Sequence, residues 1–282
     1  MSDIIETVNR WTTKLGVRPV AAYAYRLLQD IKSLSEYLKY KRHRFDSDTY
    51  QVTVEDAQAN FYVLTEEEYK DFTRLPEQPI LKHLLSQLQP DDVFYDIGAN
   101  LGLYSCLVAD LVEPMVVSFE PHPKNANRLA QNVALNESEV SVQRLALAAS
   151  SGSTQLRLSP GFDPDKLGSA GHTLLTEFYD EESDTIAIEK KRGSEFVTDG
   201  DVPAPTVLKI DTEGTEMSVL EGFNSTLAHP ECRLVYCEIH EDRLRSQGYS
   251  VSDVYNLLES HGFSVETHSI KNYQTFIHGK KR

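Results

Sequence analysis

Cysteine is scarce in this chain: the 282 residues hold three, Cys106, Cys232 and Cys237. The number is odd and all three sit in apolar stretches without zinc-ligand spacing, which excludes a disulfide scaffold and a cysteine zinc knuckle. Such usage predicts a reduced, cytoplasmic protein. Long apolar runs are lacking as well, since no stretch approaches the roughly 18 uninterrupted apolar residues of a membrane span. The opening residues Met1-Ser2-Asp3-Ile4-Ile5 have no basic segment before an apolar one, so no signal peptide is expected. Basic residues are outnumbered, 28 against 43 acidic, for a formal net charge of −15. That charge repels a phosphate backbone and argues against nucleic acid as a partner. With 40% hydrophobic and 25% charged residues, the composition is that of an ordinary globular chain, and a small molecule or a sugar suits it as substrate.

The pattern along the chain divides it into residues 1–76, an N-terminal extension, and residues 77–282, a main domain. In the extension, Ile4, Ile5, Val8, Trp11 and Leu15 recur at helical spacing, and Ala24, Leu27, Leu28, Ile31, Leu34 and Leu38 do so again after Pro19. Two amphipathic helices are expected. The second runs into Lys39, Lys41, Arg42 and Arg44, a basic end that suits peripheral contact with an anionic membrane surface, while the apolar face would serve a homodimer or packing on its own domain equally well. Residues 49–64 read as a β-hairpin around a polar 55–60 turn. From residue 77 onward, short apolar runs alternate with helical stretches, giving strands at 92–97, 115–119, 140–147, 206–210 and 233–239 and helices at 101–111, 123–136, from 215, and at 251–260. This alternation predicts an α/β fold with a mostly parallel sheet covered by helices on both faces. Strands near 263–267 and 274–278, with no helix between them, predict an antiparallel hairpin at the sheet edge. Residues 159–204, with Pro160, Gly161, Pro164, Gly168 and Gly171, break the rhythm and read as an insertion forming an active-site lid.

Three clusters carry chemistry. Val93 to Gly102 places Asp96, Gly98, Asn100 and Gly102 where an apolar strand gives way to a helix, so that a ligand can approach the backbone and meet unpaired N–H groups. Glu120 ends the next strand, where an acid accepts hydrogen bonds from a ribose diol. A nucleoside-containing cofactor follows. The full G-x-G-x-x-G fingerprint of dinucleotide sites is absent, and the Asp96 carboxylate would oppose a pyrophosphate but favour the cationic sulfonium and amino groups of S-adenosylmethionine. Asp211 and Glu213 end a further strand at the same sheet edge, whereas Glu216, at a helix start, is read as complementing the helix dipole. Glu238 and His240 end the fifth strand, and as alternate residues they share a face.

These residues resemble the FkbM family of S-adenosylmethionine-dependent methyltransferases. The likeness rests on Phe94-Tyr95-Asp96-Ile97-Gly98-Ala99-Asn100-Leu101-Gly102, Ser118-Phe119-Glu120-Pro121-His122-Pro123, Lys209-Ile210-Asp211-Thr212-Glu213-Gly214-Thr215-Glu216 and Cys237-Glu238-Ile239-His240, and spans about residues 77–278. It implies a Rossmann-like class I methyltransferase sheet with a reversed edge strand, and O-methylation of a hydroxyl, commonly of a sugar in a glycan or glycosylated metabolite. Asp96, Gly98, Asn100, Gly102, Glu120, Pro121 and Asp211 would then hold the cofactor, with Ala146 and Leu147 beside the adenine through their backbone, because Arg144 to Ala148 lacks the acid that many methyltransferases place there.

For the transfer itself, His240 is the expected proton acceptor, since its ordinary pKa lies near operating pH and Glu238 could orient it. Asp211 is the second choice. His172, in the lid, and Glu213 are expected to touch the acceptor. A divalent metal on Asp211, Glu213, Glu238 and His240 is a less favoured reading, and the site is expected to hold none. The competing functions are a macrolide-type O-methyltransferase, a nicotinamide-dependent oxidoreductase and a non-catalytic nucleoside-binding protein.

Overall fold

The protein is described here from a computed structural model covering residues 18–111, 115–159, 172–175, 183–200, 202–270 and 274–281. It divides after Asp48 into two compact units. The first contains helix α1 (Arg18–Asp46), along which Leu27, Leu28, Ile31, Leu34 and Leu38 are exposed. The first of the two expected N-terminal helices lies outside the described residues. No described helix is long and apolar enough to cross a membrane.

The hairpin, β1 (Thr49–Val54) and β2 (Ala57–Tyr62), belongs to the second unit, not to an extension ending at residue 76. Its turn is shorter than expected, because Ala57, Ala59 and Phe61 alternate inward and extend the strand to Ala57. Those side chains share a core with Leu107 and Val108 of the main domain, which is why the hairpin folds with it. Two helices follow that periodicity had not revealed, α2 (Glu66–Arg74) and α3 (Gln78–Gln87). Thr65 caps α2 in a reciprocal box with Glu68. Glu68, fully buried, also pairs with Arg128 at 2.6 Å.

The main sheet comprises β3 (Val93–Ile97), β4 (Met115–Phe119), β5 (Val140–Gln143), β9 (Val207–Ile210), β10 (Leu234–Ile239), β11 (Phe263–Ile270) and β12 (Gln274–Lys281) in the order β11-β12-β10-β9-β3-β4-β5. From β5 to β10 all pairings are parallel, and β12 runs antiparallel to both its neighbours. The reversed strand is thus one place in from the edge, and β11 is the edge. Every residue of β9 and β10 is buried, as parallel strands with two covered faces require. On one face Phe94, Val116, Tyr236 and Phe276 pack with α3, the hairpin and α4 (Leu103–Leu111). On the other, Tyr95, Phe119, Leu208 and Cys237 pack with α7 (Glu216–Gly222), α8 (Asn224–Ala228) and α10 (Val251–Ser260). Helix α5 (Pro123–Leu135) follows β4, and α9 (Glu241–Ser246) follows β10.

The expected strand at 140–147 is two strands in two sheets. β5 ends at Gln143, and β6 (Ala146–Ala148) pairs instead with β8 (Thr185–Arg192), which also pairs with β7 (Gly152–Arg157). Strand β8 and the helix α6 (Gly193–Asp199) therefore occupy part of the region read as a lid, whose residues 160–171 and 176–182 lie outside the described residues. Because β3 is flanked by β4 on one side and β9 on the other, the strand order reverses at β3, and in open α/β sheets ligands bind in the crevice beyond the carboxyl ends at such a point.

Candidate active site

A cleft of about 700 Å³, counting the space that opens to solvent, lies at that point. Its floor is the turn after β3. The backbone N–H groups of Gly98 and Ala99 both donate to the Phe119 carbonyl, and that of Asp211 donates to the Ile97 carbonyl, so the ends of β3, β4 and β9 are laced together. Gly98 has φ +80°, and a Cβ there would stand 1.8 Å from the Asp211 carbonyl oxygen, so a side chain at this position would force the strands apart. Asn100 and Glu213, also on the cleft wall, hold φ of 49° and 54°, unusual for residues with a Cβ and a form of strain that gathers at functional sites.

One half of the cleft is built around Glu120. Its Oε2 accepts from the Asn100 N–H at 2.9 Å and its Oε1 from the His122 N–H at 2.8 Å, which aims the carboxylate across the cleft. Burial pushes its pKa up to about 7, against the lowering effect of those two donors. Beside it Phe119, Pro121, Leu145, Ala146, Leu147 and Leu156 form an apolar slot. His172 closes this half, its ring stacked on His122 with centroids 4.8 Å apart and its Nδ1 accepting from the Ser159 N–H. It therefore stands on the Glu120 side of the cleft. Burial, with His122 alongside, lowers its pKa to about 4.

The other half is acidic. Asp211, Thr212 and Glu213 line it, and behind them sits a buried ammonium, Lys209 Nζ, 3.3 Å from Asp211 Oδ2, 3.5 Å from Asp96 Oδ1 and 4.9 Å from the Tyr104 ring centroid. Burial works against the ammonium, but Asp211, Asp96, Glu77 and Glu238 outweigh it and raise its pKa. Glu77 accepts from the Tyr104 hydroxyl at 2.8 Å. His240 lies between carboxylates, with Nδ1 2.9 Å from Glu216 Oε1 and Nε2 3.2 Å from Glu213 Oε2. Glu213 in turn pairs with Arg243 at 2.6 Å, and Gly214 permits that approach because a Cβ on it would stand 2.6 Å from the Arg243 Cβ. Burial alone would lower the His240 pKa, yet Glu216, Asp211 and Glu213 raise it to about 9. Burial, Asp211 and Glu77 push the Glu238 carboxyl well above its ordinary range.

Several expectations change here. Asp96 is fully buried, accepts from the Ser105 hydroxyl and pairs with Lys209, and it is not among the residues that line the cleft. Gly102 is also off the wall: its absent Cβ makes room for the Leu129 side chain, which a methyl would meet at 2.3 Å. His240 at a pKa of about 9 carries a proton at neutral pH and is no ready acceptor. Its orienting partner is Glu216, fully buried and also accepting from the Gly214 N–H, whereas Glu238 stands 4.0 Å from Nε2. Glu216 does open α7, as the helix-dipole reading expects, and it holds His240 as well. Gly98, Asn100, Glu120, Pro121, Ala146, Leu147, Asp211, Glu213 and His172 do meet on the one cleft. Lys209, Glu77, Tyr104 and Arg243 were missed. Only Lys209 left a signal, a lysine inside an apolar strand on the same face as Asp211.

Two buried polar atoms on the wall, Asn100 Oδ1 and Thr212 Oγ1, have no hydrogen-bond partner among the described residues. With the Glu120 carboxylate, the apolar slot and an acidic far end, they fit a nucleoside whose other end is cationic and carries no phosphate. A Rossmann-like methyltransferase using S-adenosylmethionine is the class that this sheet and site define. Residues 96–265 match the Methyltransferase FkbM domain, and the chain belongs to that family. It is 30% identical over 207 residues to the hexuronic acid methyltransferase AglP of Haloferax volcanii, a match covering 73% of this chain and 77% of that one. It is likewise 30% identical to the 31-O-demethyl-FK506 methyltransferase FkbM of Streptomyces tacrolimicus, covering 64% and 75%. Among solved structures, a methyltransferase FkbM from Methylobacillus flagellatus superposes with a TM-score of 0.48 at 15% identity, over 75% of this chain and 52% of that one. The oxidoreductase and non-catalytic readings thereby fall away.

Proposed function

We propose that this chain methylates a hydroxyl of a sugar, in a glycan or a glycosylated metabolite. The observation that carries this reading is the acidic end of the cleft, where Asp211 lines the wall with Lys209 Nζ fixing one of its carboxylate oxygens at 3.3 Å. A hydroxyl needs somewhere to send its proton as the new C–O bond forms, and Asp211 is the carboxylate placed to take it. A carboxylate acceptor would need no such group and would be repelled by Asp211 and Glu213. The name of the AglP relative, a hexuronic acid methyltransferase, supports a sugar; that of the FK506 relative supports the second reading, a macrolide hydroxyl.

Bound in this cleft, S-adenosylmethionine supplies an electrophilic methyl group on a sulfonium. Glu120 would accept hydrogen bonds from the ribose hydroxyls, and the slot formed by Phe119, Leu145, Leu147 and Leu156, with His172 beside it, would take the adenine. Asp211 and Glu213 face the cationic end, and Asp211 holds the acceptor proton at its carboxylate. Protonated His240 is a positioning residue, keeping Glu213 in place and offsetting the negative charge around it. In this reading no divalent metal is required, because Lys209, Arg243 and His240 already occupy the cationic positions among these acids.

The test is transfer of an isotopically labelled methyl group to a panel of neutral hexosides, uronosides and a macrolide bearing a free hydroxyl, with the product challenged by mild alkali. An alkali-stable sugar ether, abolished in Asp211→Asn, supports the proposal. An alkali-labile ester on a uronoside, or methylation of the macrolide alone, overturns it. The exposed apolar residues of α1, with Lys39, Lys41 and Arg42 beside them, support a peripheral contact with an anionic membrane. Co-sedimentation with anionic but not neutral vesicles checks this, and concentration-dependent dimerisation without vesicle binding would replace it.

A further inference from the structure

On the sheet face opposite α7, distant from the cleft in the strand order, three imidazoles converge. Helix α3 contributes His83, β11 contributes His268 and β12 contributes His278. One ring nitrogen from each lies within 4.8 Å of the others. The register explains the convergence. His278 stands directly across from Tyr236 on β10 and from Glu266 on β11, so these share a face, and His268, two residues beyond Glu266, shares it too. His83 then reaches down from the helix packed on that face.

The hydrogen bonding is incomplete, and an ion would take one ring nitrogen from each histidine. His278 is only 5% exposed, yet among the described residues neither of its ring nitrogens has a partner, and His268 Nε2, also buried, has none. Buried polar atoms left unpaired are uncommon in folded proteins, and three in one cluster of aromatic nitrogens point to a missing electrophile. His83 differs: its Nδ1 is 2.9 Å from the Tyr236 hydroxyl, so with Nδ1–H donated there its Nε2 lone pair is left for a ligand. A metal-bound histidine is typically held this way, through the nitrogen that does not bind the ion. The His278 ring is itself stacked on Tyr236, with centroids 4.6 Å apart, which limits its swing.

We propose that His83, His268 and His278 form a binding site for a divalent transition-metal ion of the zinc class, which ties the β11–β12 pair to α3. Three neutral nitrogen donors suit zinc, nickel or copper and discriminate against magnesium and calcium, which prefer oxygen. A zinc–nitrogen bond of about 2.05 Å sets donor spacings of roughly 3.3 Å in a tetrahedral site, so the ring nitrogens need approach by up to about 1.5 Å through side-chain rotation. A fourth position is left for water, with Glu266 on the same face to balance the charge. The acids around His240 include a second convergent group, Asp211, Glu213 and His240, and the test must separate the two.

The experiment uses the full chain made without a polyhistidine tag, stripped with chelator and titrated with zinc sulfate against a chromophoric competitor. Cobalt(II) serves as an optical probe of coordination. The expected result is one zinc per chain surviving gel filtration and a tetrahedral cobalt spectrum. Both are lost in His83→Gln and in His268→Gln, and retained in Asp211→Asn. Tyr236→Phe, which removes only the outer hydrogen bond, should weaken zinc by about 10–100-fold. Circular dichroism and S-adenosylhomocysteine binding confirm that each variant is folded. Failure of the wild-type chain to retain zinc overturns the proposal, as does zinc binding that survives both histidine substitutions or disappears in Asp211→Asn.

Discussion

The two halves of the cleft use the same functional group under opposite management. Glu120 is held by two backbone N–H donors and no cation within bonding distance among the described residues, and burial dominates it, leaving its pKa at about 7. At the other end Asp211, Glu213 and Glu216 are held by side-chain cations, Lys209, Arg243 and His240, and there the larger consequence falls on a cation, with His240 raised to about 9. Backbone dipoles orient a carboxylate while keeping its remaining lone pairs for a neutral diol. Cations instead assemble several carboxylates into one unit that can face a positive ligand and take a proton.

Removing the cation that assembles the acidic half should have the largest effect. Lys209→Met leaves Asp96 and Asp211 without their shared partner, and a stability loss of about 3–5 kcal/mol is expected in denaturant melts. Asp211→Asn keeps shape and should lower turnover by about 10²–10⁴-fold, well beyond the accompanying loss of cofactor affinity at the cationic end, read as kcat against a calorimetric Kd for S-adenosylhomocysteine. On the opposite side, Glu120→Gln should leave the melt nearly unchanged and weaken cofactor binding by about 10–100-fold, because charge-assisted bonds to the ribose are lost. If the two substitutions gave the same pattern, the division of labour would be wrong.

The smallest effect is a graded one in pH. Glu120 loses its charge below about 7, so cofactor affinity should fall on the acid side. His240 loses its proton above about 9, freeing Glu213 and Glu216 to repel each other, so activity should fall on the alkaline side as well. Stability moves differently. The pairing of His240 contributes in full below its ordinary value of 6.5 and is lost as pH rises through about 9, and the raised pKa of Glu120 also favours the fold when protonated. Melting temperatures of the ligand-free protein should therefore decline from pH 6 to pH 10 while activity passes through a maximum. In Glu216→Gln the alkaline limb should move toward lower pH.

The strands of the main sheet were legible because parallel strands buried on both faces are continuous apolar runs, and Met115–Phe119 and Val251–Ser260 fall where their patterns place them. Less regular elements were not. Strand β8 turns Ile186 and Ile188 to one side with Thr185, Ala187 and Glu189 on the other, and the capping box of α2 is written in Thr65-Glu66-Glu67-Glu68, so both carried short-range signals that glycine and charge runs nearby obscured. In the site, residues that end strands were readable, since the strand itself delivers them to one edge. The contact of Glu216 with His240 was not readable because His240 arrives from a different strand, nor was the pairing of Asp96, because nothing local shows that Lys209 claims its carboxylate. Glu77 and the three clustered histidines are joined only by tertiary packing, with no spacing rule to reveal them.

Strand β12 has a consequence for the order of assembly. It is synthesised after β11 yet lies between β11 and β10, with its backbone bonded to both. Until residues 274–281 are made, β11 has nothing in the main sheet to pair with, and the edge of β10 stays open to any extended chain in reach. The nascent protein can close its cofactor cleft early, since β3, β4, β9 and β10 precede that point. It remains a template for misassociation until one late strand seals it.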